Sequence, residues 1–271
     1  MVIVESAGLS DVGRKREANE DRICVDDDLG LYLVADGMGG HQAGEIASEL
    51  VVSSIREFLR RPEAPSAAAG NRGPGCADRL LAGIRWSNQV VYEASKSRAD
   101  RRGMGSTVAA VYICDDRLIA ANIGDSPIYL IRNGGIDSLS VPHTLQADMQ
   151  AQTYAPYLGN VLTRAVGPHP SVDADLCEIS CYKNDVLVLC SDGLSNKVSP
   201  SEIVGISSSR APREACRHLV DLANQRGGED NISVVAVRVA QVRRNGHRIG
   251  SRWSLRLKSA LSSLLARCHR G

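Results

Sequence analysis

Seven short runs of aliphatic and β-branched residues punctuate the chain: V-I-V at 2–4, L-Y-L-V at 31–34, V-A-A-V-Y-I-C at 108–114, L-I-A-A-N-I at 118–123, I-Y-L-I at 128–131, V-L-V-L-C at 186–190 and I-S-V-V-A-V at 232–237. Each is bounded by Asp, Asn or Gly, and each reads as a strand. The turn sequences C-D-D-R, joining the third run to the fourth, and R-N-G-G after the fifth predict hairpins, hence antiparallel pairing rather than a doubly wound parallel sheet. A different period marks the helices. Ala43, Ile46, Ala47, Leu50, Val51, Ile55 and Leu59 recur at steps of three and four, which predicts a helix over about 42–60. Less regular stripes predict two more, over about 76–96 through Leu80, Leu81, Ile84 and Val91, and over about 211–225 through Ala215, Leu219 and Leu222. Between the first two helices, P-E-A-P-S-A-A-A-G-N-R-G-P-G has the composition of a flexible connector. Many antiparallel strands with helices inserted in a few places make an α+β layered sandwich, one domain ending near residue 240.

Composition narrows the chemistry. With 271 residues, 43% of them hydrophobic, the chain has ample material for a core. The formal net charge is +1, but it is unevenly placed. Eight basic and no acidic residues fall in 242–271, which leaves 24 basic against 31 acidic residues in the body. A body with that surplus of carboxylates is no nucleic-acid binder; it suits solvation or bound cations. The eight cysteines are scattered, and no signal peptide or bilayer-spanning apolar stretch is present, so free thiols in a reducing cytoplasm are expected. Cys177 and Cys181 are close enough to suggest a chelating pair, but without a second pair they read as neighbours on a strand.

Acidic residues stand at the ends of the predicted strands. Glu20-Asp21 precedes I-C-V; Asp36-Gly37 follows L-Y-L-V; Asp125 follows L-I-A-A-N-I; Asp192-Gly193 follows V-L-V-L-C; Asp230-Asn231 precedes I-S-V-V-A-V. Any one of them is explained as a turn former. If the strands neighbour one another, however, the carboxylates converge at one rim, where like charges need cations between them. An all-oxygen ligand set fits hard ions such as Mg²⁺ or Mn²⁺, and two of them sharing a carboxylate could activate a water toward phosphorus without a protein nucleophile. Glycine after Asp36 would let a bare backbone carbonyl approach such an ion.

Seven blocks, in order, resemble the metal-dependent serine/threonine protein phosphatases of the PPM family, class 2C, in their bacterial form: S-D-V-G-R-K-R-E-A-N-E-D (10–21), V-A-D-G-M-G-G-H-Q-A-G-E-I-A-S (34–48), G-M-G-S-T (103–107), A-N-I-G-D-S (121–126), L-T-R-A-V-G (162–167), C-S-D-G-L (190–194) and G-G-E-D-N-I-S (227–233). The resemblance implies a four-layer sandwich, two antiparallel β-sheets flanked by α-helices on both sides, over residues 1–240, with 241–271 a basic tail outside it. It implies that Asp36 bridges two Mn²⁺ or Mg²⁺ ions, that Gly37 contributes its carbonyl, and that Asp192 and Asp230 are further direct ligands. Glu20 and Asp21 match the acidic pair of the first block, Asp125 with Asp192 matches the position of a third, weaker ion, and Asn231 orients the ligands. Arg16 takes the place of the phosphate-binding arginine, whose fork suits two phosphoryl oxygens. His41 takes that of the general acid which protonates the departing serine or threonine oxygen.

The implied reaction is hydrolysis of phosphoserine and phosphothreonine by in-line attack of a hydroxide held between the two ions; the implied partners are phosphorylated proteins, above all a cognate Ser/Thr kinase or its substrates. Two rivals stand beside it. A non-catalytic pseudophosphatase would bind a kinase or phosphoprotein but tends to have lost a metal carboxylate, and a nucleotide hydrolase using G-M-G-G-H as a phosphate nest would need a following Gly-Lys-Ser/Thr. This chain departs from the family at Pro127, where an Arg usually follows G-D-S, at Pro142-His143, where an Asp usually precedes the His, and in a short 143–162 segment beside the site. In the tail, Trp253, Leu257, Leu261, Leu264 and Leu265 keep helical spacing among basic residues, which suits a membrane-surface or partner-binding helix as well as a solvated tail.

Overall fold

The computed structural model describes residues 1–39, 43–62, 75–148 and 161–243. In chain order its elements are β1 (Val2–Asp11), β2 (Asp21–Asp26), β3 (Leu31–Met38), α1 (Ala43–Arg60), α2 (Cys76–Ser97), β4 (Gly105–Ser106), β5 (Val108–Cys114), β6 (Arg117–Ile123), β7 (Ile128–Arg132), β8 (Gly135–Ser138), α3 (Leu145–Asp148), β9 (Asp175–Ser180), β10 (Val186–Cys190), α4 (Asp192–Ser195), α5 (Pro200–Ser209), α6 (Pro212–Gln225) and β11 (Ile232–Val242). One sheet runs β1-β11-β10-β7-β8; the other runs β2-β3-β5-β6-β9, with β4 added beside β3. Every pairing is antiparallel, and the two expected hairpins form. At R-N-G-G, Asn133 and Gly134 have φ of 54° and 79°, the two positive values that a two-residue turn matched to strand twist requires.

The two-residue period of the strands divides the core into three. On β3, Leu31, Leu33 and Ala35 face α1 and α2, packing with Ala47, Val51, Ile55, Leu80 and Ile84. Tyr32 and Val34 face the other way, where they meet Leu187, Leu189, Val235 and Val237 of the opposing sheet. On β10 and β11, Val186, Val188, Cys190, Ile232, Val234 and Ala236 face outward onto Leu219, Val220 and Ala223 of α6 and Ile203 of α5. The result is helix, sheet, sheet, helix. Central strands are therefore apolar on both faces, which is why they read as unbroken apolar runs although they are antiparallel. Polar residues are left for the strand ends, and the chemistry collects there.

Three features differ from, or extend, the sequence reading. Helix α5 was not foreseen from its weak apolar stripe; Ser199 and Glu202 close a capping box around Pro200, a start signal that S-P-S-E carries openly. The expectation of eight free thiols is corrected: Cys76, at the start of α2, and Cys114, at the end of β5, form a disulfide with Cα atoms 6.3 Å apart. Their separation of 38 residues gives no hint of it, because only the packing of α2 on the sheet brings them together. Cys24, Cys177, Cys181, Cys190 and Cys216 remain thiols, and Cys268 is outside the described residues. Finally, β1 pairs with β11 from Val2↔Val242 to Asp11↔Ile232, so β11 continues past residue 240. Residues 63–74 of the connector, 149–160 and the tail from 244 onward, with its Trp253 and leucines, lie outside the described residues.

Candidate metal centre

The ends of five strands form one acidic rim. Asp21, first residue of β2, lies directly opposite Asp36 on β3, so the pleat turns both side chains to the same face. Asp192 begins α4 immediately after β10, and Asp230 ends one residue before Asn231 leads into β11. Asp125 follows β6. That these carboxylates sense one another is evident in their acidities. Burial raises Asp36 well above the ordinary carboxylate range, and the charges of Asp21, Asp192, Asp230 and Asp125 raise it further. Burial carries Asp21 up to about 6 against hydrogen bonds from Ser233 and Ser191, with Asp192 and Asp230 adding repulsion. Asp125 also reaches about 6, through burial and then the charge of Asp192. Asp192 is raised by burial and Asp230, and Glu20 mainly by burial.

The rim is held from behind by hydrogen bonds. Asn231 is the hub: its Oδ1 accepts from the Glu20 amide at 2.8 Å, and its Nδ2 donates to the carbonyls of Val12 and Ala18, both at 2.9 Å. One buried side chain thus seats the whole 12–20 segment on the start of β11. Ser191 donates to Asp21 Oδ2 at 2.7 Å, and Thr107 clasps Asp36 from both sides, its amide donating to the Asp36 carbonyl at 2.8 Å and its Oγ1 accepting from the Asp36 amide at 3.0 Å. Sequence reasoning assigned no role to Thr107, Ser191 or His143; G-S-T and C-S-D-G-L did contain the first two. The glycines after Asp36 and Asp192 have a packing reason as well. A Cβ on Gly37 would stand 2.1 Å from the Gly44 carbonyl oxygen, and one on Gly193 would stand 2.0 Å from that of Asn231. Neither position admits a side chain.

Whether the donor set fits cations can be judged from what the protein leaves undone. Asp21 is 1% exposed, and its Oδ1 has no hydrogen-bond partner. A buried carboxylate oxygen with no donor, facing a second carboxylate, is costly unless positive charge arrives from outside the fold. Oxygen-only ligands of this kind suit Mg²⁺ or Mn²⁺. Arg16 is the one cation on the rim among the described residues, its Nη2 donating to Asp230 Oδ2 at 2.9 Å; both side chains are partly exposed, so the pair is exchangeable. The structure therefore brings together Arg16, Glu20, Asp21, Asp36, Gly37, Asp125, Asp192, Asp230 and Asn231. His41 lies outside the described residues.

Comparison with known proteins is consistent in every direction. The sequence profile of protein phosphatase 2C matches residues 13–229. The chain is similar to the serine/threonine phosphatase stp of Listeria monocytogenes, 33% identical over 239 residues that cover 84% of this chain and 93% of that one. It is also similar to the protein phosphatase PhpP of Streptococcus pneumoniae, 31% identical over 245 residues, 86% of this chain and 97% of that one. Among solved structures, the serine/threonine phosphatase PstP/Ppp of Mycobacterium tuberculosis superposes with a TM-score of 0.78 at 30% identity, covering 89% of this chain and 100% of that one. A PstP catalytic domain in complex with two manganese ions gives the same TM-score, identity and coverage.

Proposed function

Because this chain belongs to the protein phosphatase 2C family and is a metal-dependent serine/threonine protein phosphatase, we propose that its acidic rim is the catalytic centre and that Asp36, Asp192, Asp230, Glu20, Asp21 and the Gly37 carbonyl hold a pair of divalent cations, with Asp125 and Asp192 holding a weaker third. Mn²⁺ or Mg²⁺, when bound, would neutralise phosphoryl charge and lower the pKa of a water molecule. The observation that carries this reading is the orphaned, buried oxygen of Asp21 opposite Asp36.

The remaining chemistry belongs to the chain's own groups. Arg16 exchanges Asp230 for two oxygens of the phosphoryl group, which its planar fork orients for in-line displacement. His41 donates the proton that the departing serine or threonine oxygen needs. Asn231 and Thr107 do no chemistry; they fix the backbone of Glu20 and Asp36 so that the carboxylates are in place before substrate arrives. The substrates are phosphoproteins, and a Ser/Thr kinase or that kinase's own targets are the natural ones. No helix among the described residues is long and apolar enough to cross a membrane. A kinase-binding pseudophosphatase is disfavoured because every carboxylate of the rim is retained.

The test is hydrolysis of a phosphothreonyl peptide by the full chain with Mn²⁺. Activity should vanish with EDTA and return with metal, and Asp36→Asn should lower kcat on the order of 10³-fold, equivalent to several kcal/mol of lost charge stabilisation. An Asp36→Asn protein that kept metal-dependent turnover would remove Asp36 from the centre.

A further inference from the structure

Asp125 follows a glycine that three hydrogen bonds hold in place, one of them from Asn122 Nδ2 to its carbonyl at 3.2 Å. Gly124 has φ of +95°, and a Cβ there would meet Thr107 Cγ2 at 2.6 Å, so only glycine serves. Its carbonyl accepts from the His143 amide at 3.0 Å, and its own amide donates to His143 Nδ1 at 3.1 Å. The imidazole is 1% exposed, and its other nitrogen, Nε2, lies 3.1 Å from Asp175 Oδ2, while Asp175 Oδ1 accepts from Arg164 at 3.1 Å. These partners fix the tautomer: Nδ1 accepts an N–H and so carries no proton, and Nε2 carries one and donates it to Asp175. On the other side of Asp125, the Ser126 hydroxyl is 2.7 Å from Thr107 Oγ1, the same atom that receives the Asp36 amide.

We infer that His143 is a positioning residue for Asp125: by accepting the Gly124 amide it sets where the Asp125 carboxylate stands relative to Asp192, and hence how tightly the weakest cation is held. The residue acts through the backbone it clasps. Asp175, 32 residues further on, supplies the carboxylate that orients the ring. Thr107 completes the bracket and ties it to Asp36, so the third site and the pair share one scaffold. This inference rests on reading Asp125 as a ligand, and the experiment separates the two.

The full chain is titrated with Mn²⁺ by calorimetry, and its activity is measured across the same Mn²⁺ range. His143→Asn places an amide oxygen near Nδ1 and keeps an acceptor for Gly124, whereas His143→Gln places its amide near Nε2 and leaves the Gly124 amide unpaired. The Gln variant should weaken the last Mn²⁺ step about tenfold, as losses behind a ligand do, with the tighter steps unchanged and kcat restored at saturating Mn²⁺. The Asn variant should stay within about twofold of the parent on that step. Equal behaviour of the two variants, or a Gln variant with an unaltered last step, overturns the clamp. Asp125→Asn should abolish that step; if the step survives there, the premise falls and the inference with it. Should the Gln variant not fold, Asp175→Ala, which removes the acceptor that orients the ring, is expected to weaken the same step about threefold, and an unaltered step there also overturns the inference.

Discussion

The strand β2 carries one buried carboxylate at each end, and the two are treated in opposite ways. Asp21 and Asp26 are 1% and 6% exposed. At the far end, Asp26 Oδ2 accepts from Arg56 Nε and Arg60 Nη2, both at 2.8 Å, and its Oδ1 accepts the Leu29 amide at 3.1 Å. Burial alone would raise its pKa, but the Arg56 hydrogen bond, the Leu29 amide and the two guanidinium charges bring it below the ordinary value. Asp21 is given hydroxyl donors and further carboxylates instead, and goes up. Asp185 repeats the far-end solution on the other sheet, with Arg132 bonding both its oxygens at 2.8 and 2.7 Å. The fold can neutralise a buried carboxylate when it only needs to be packed. At the rim it does not, and that difference is what supports the proposal that the rim holds cations.

The contrast can be broken in three ways. The largest effect on stability is expected at the packed end: Asp26→Ala removes three hydrogen bonds, two of them from half-exposed arginines, costing about 3 kcal/mol in denaturant unfolding, with Mn²⁺ affinity unchanged. Asp21→Asn should do the reverse. It relieves repulsion, so the metal-free protein gains about 2 kcal/mol near neutral pH while Mn²⁺ binding weakens; a metal-free protein destabilised by this change would mean that Asp21 is ordinary packing. The smallest effect concerns pH. Asp21 and Asp125 rise from 3.8 to about 6 in the fold. The metal-free fold therefore binds more protons than the unfolded chain in that window, and its stability falls as pH rises through it. Cations relieve this penalty only where the carboxylates are ionised. The Mn²⁺-induced gain in thermal stability should consequently exceed its value at about pH 5 by roughly 1 kcal/mol near pH 7.5, and equal gains at both would contradict the shifted acidities.

Much of this was legible in the chain because the determinants were local. The strand runs, the R-N-G-G and C-D-D-R turns and the 43–60 stripe each encode their element within a few residues, and acidic residues next to strand ends announced the rim. What was not legible depends on register and on contacts between distant segments. Nothing in the sequence says that Asp21 faces Asp36 rather than its neighbour, since a slip of one residue would send it to the other face of the sheet. His143 follows a proline where an Asp usually stands, and only the fold reveals that it grips Gly124, 19 residues earlier. The Cys76–Cys114 bond is of the same kind, a consequence of layer packing that no spacing rule contains.

One feature of the far end reaches beyond catalysis. The Met1 ammonium donates to the Arg243 carbonyl at 3.0 Å, and the Arg243 amide returns a bond to the Met1 carbonyl at 2.9 Å, so the first and last described residues touch. Because β1 and β11 run side by side from there to Asp11 and Ile232, that junction sits a full strand length from the rim. The linear order of the polypeptide is thus separable from its architecture: a circular permutant, spliced across residues 1 and 243 and reopened between α1 and α2, would thread the same layers. Fusion cargo attached at residue 1 of the native order would project from the end of the strands opposite the acidic mouth.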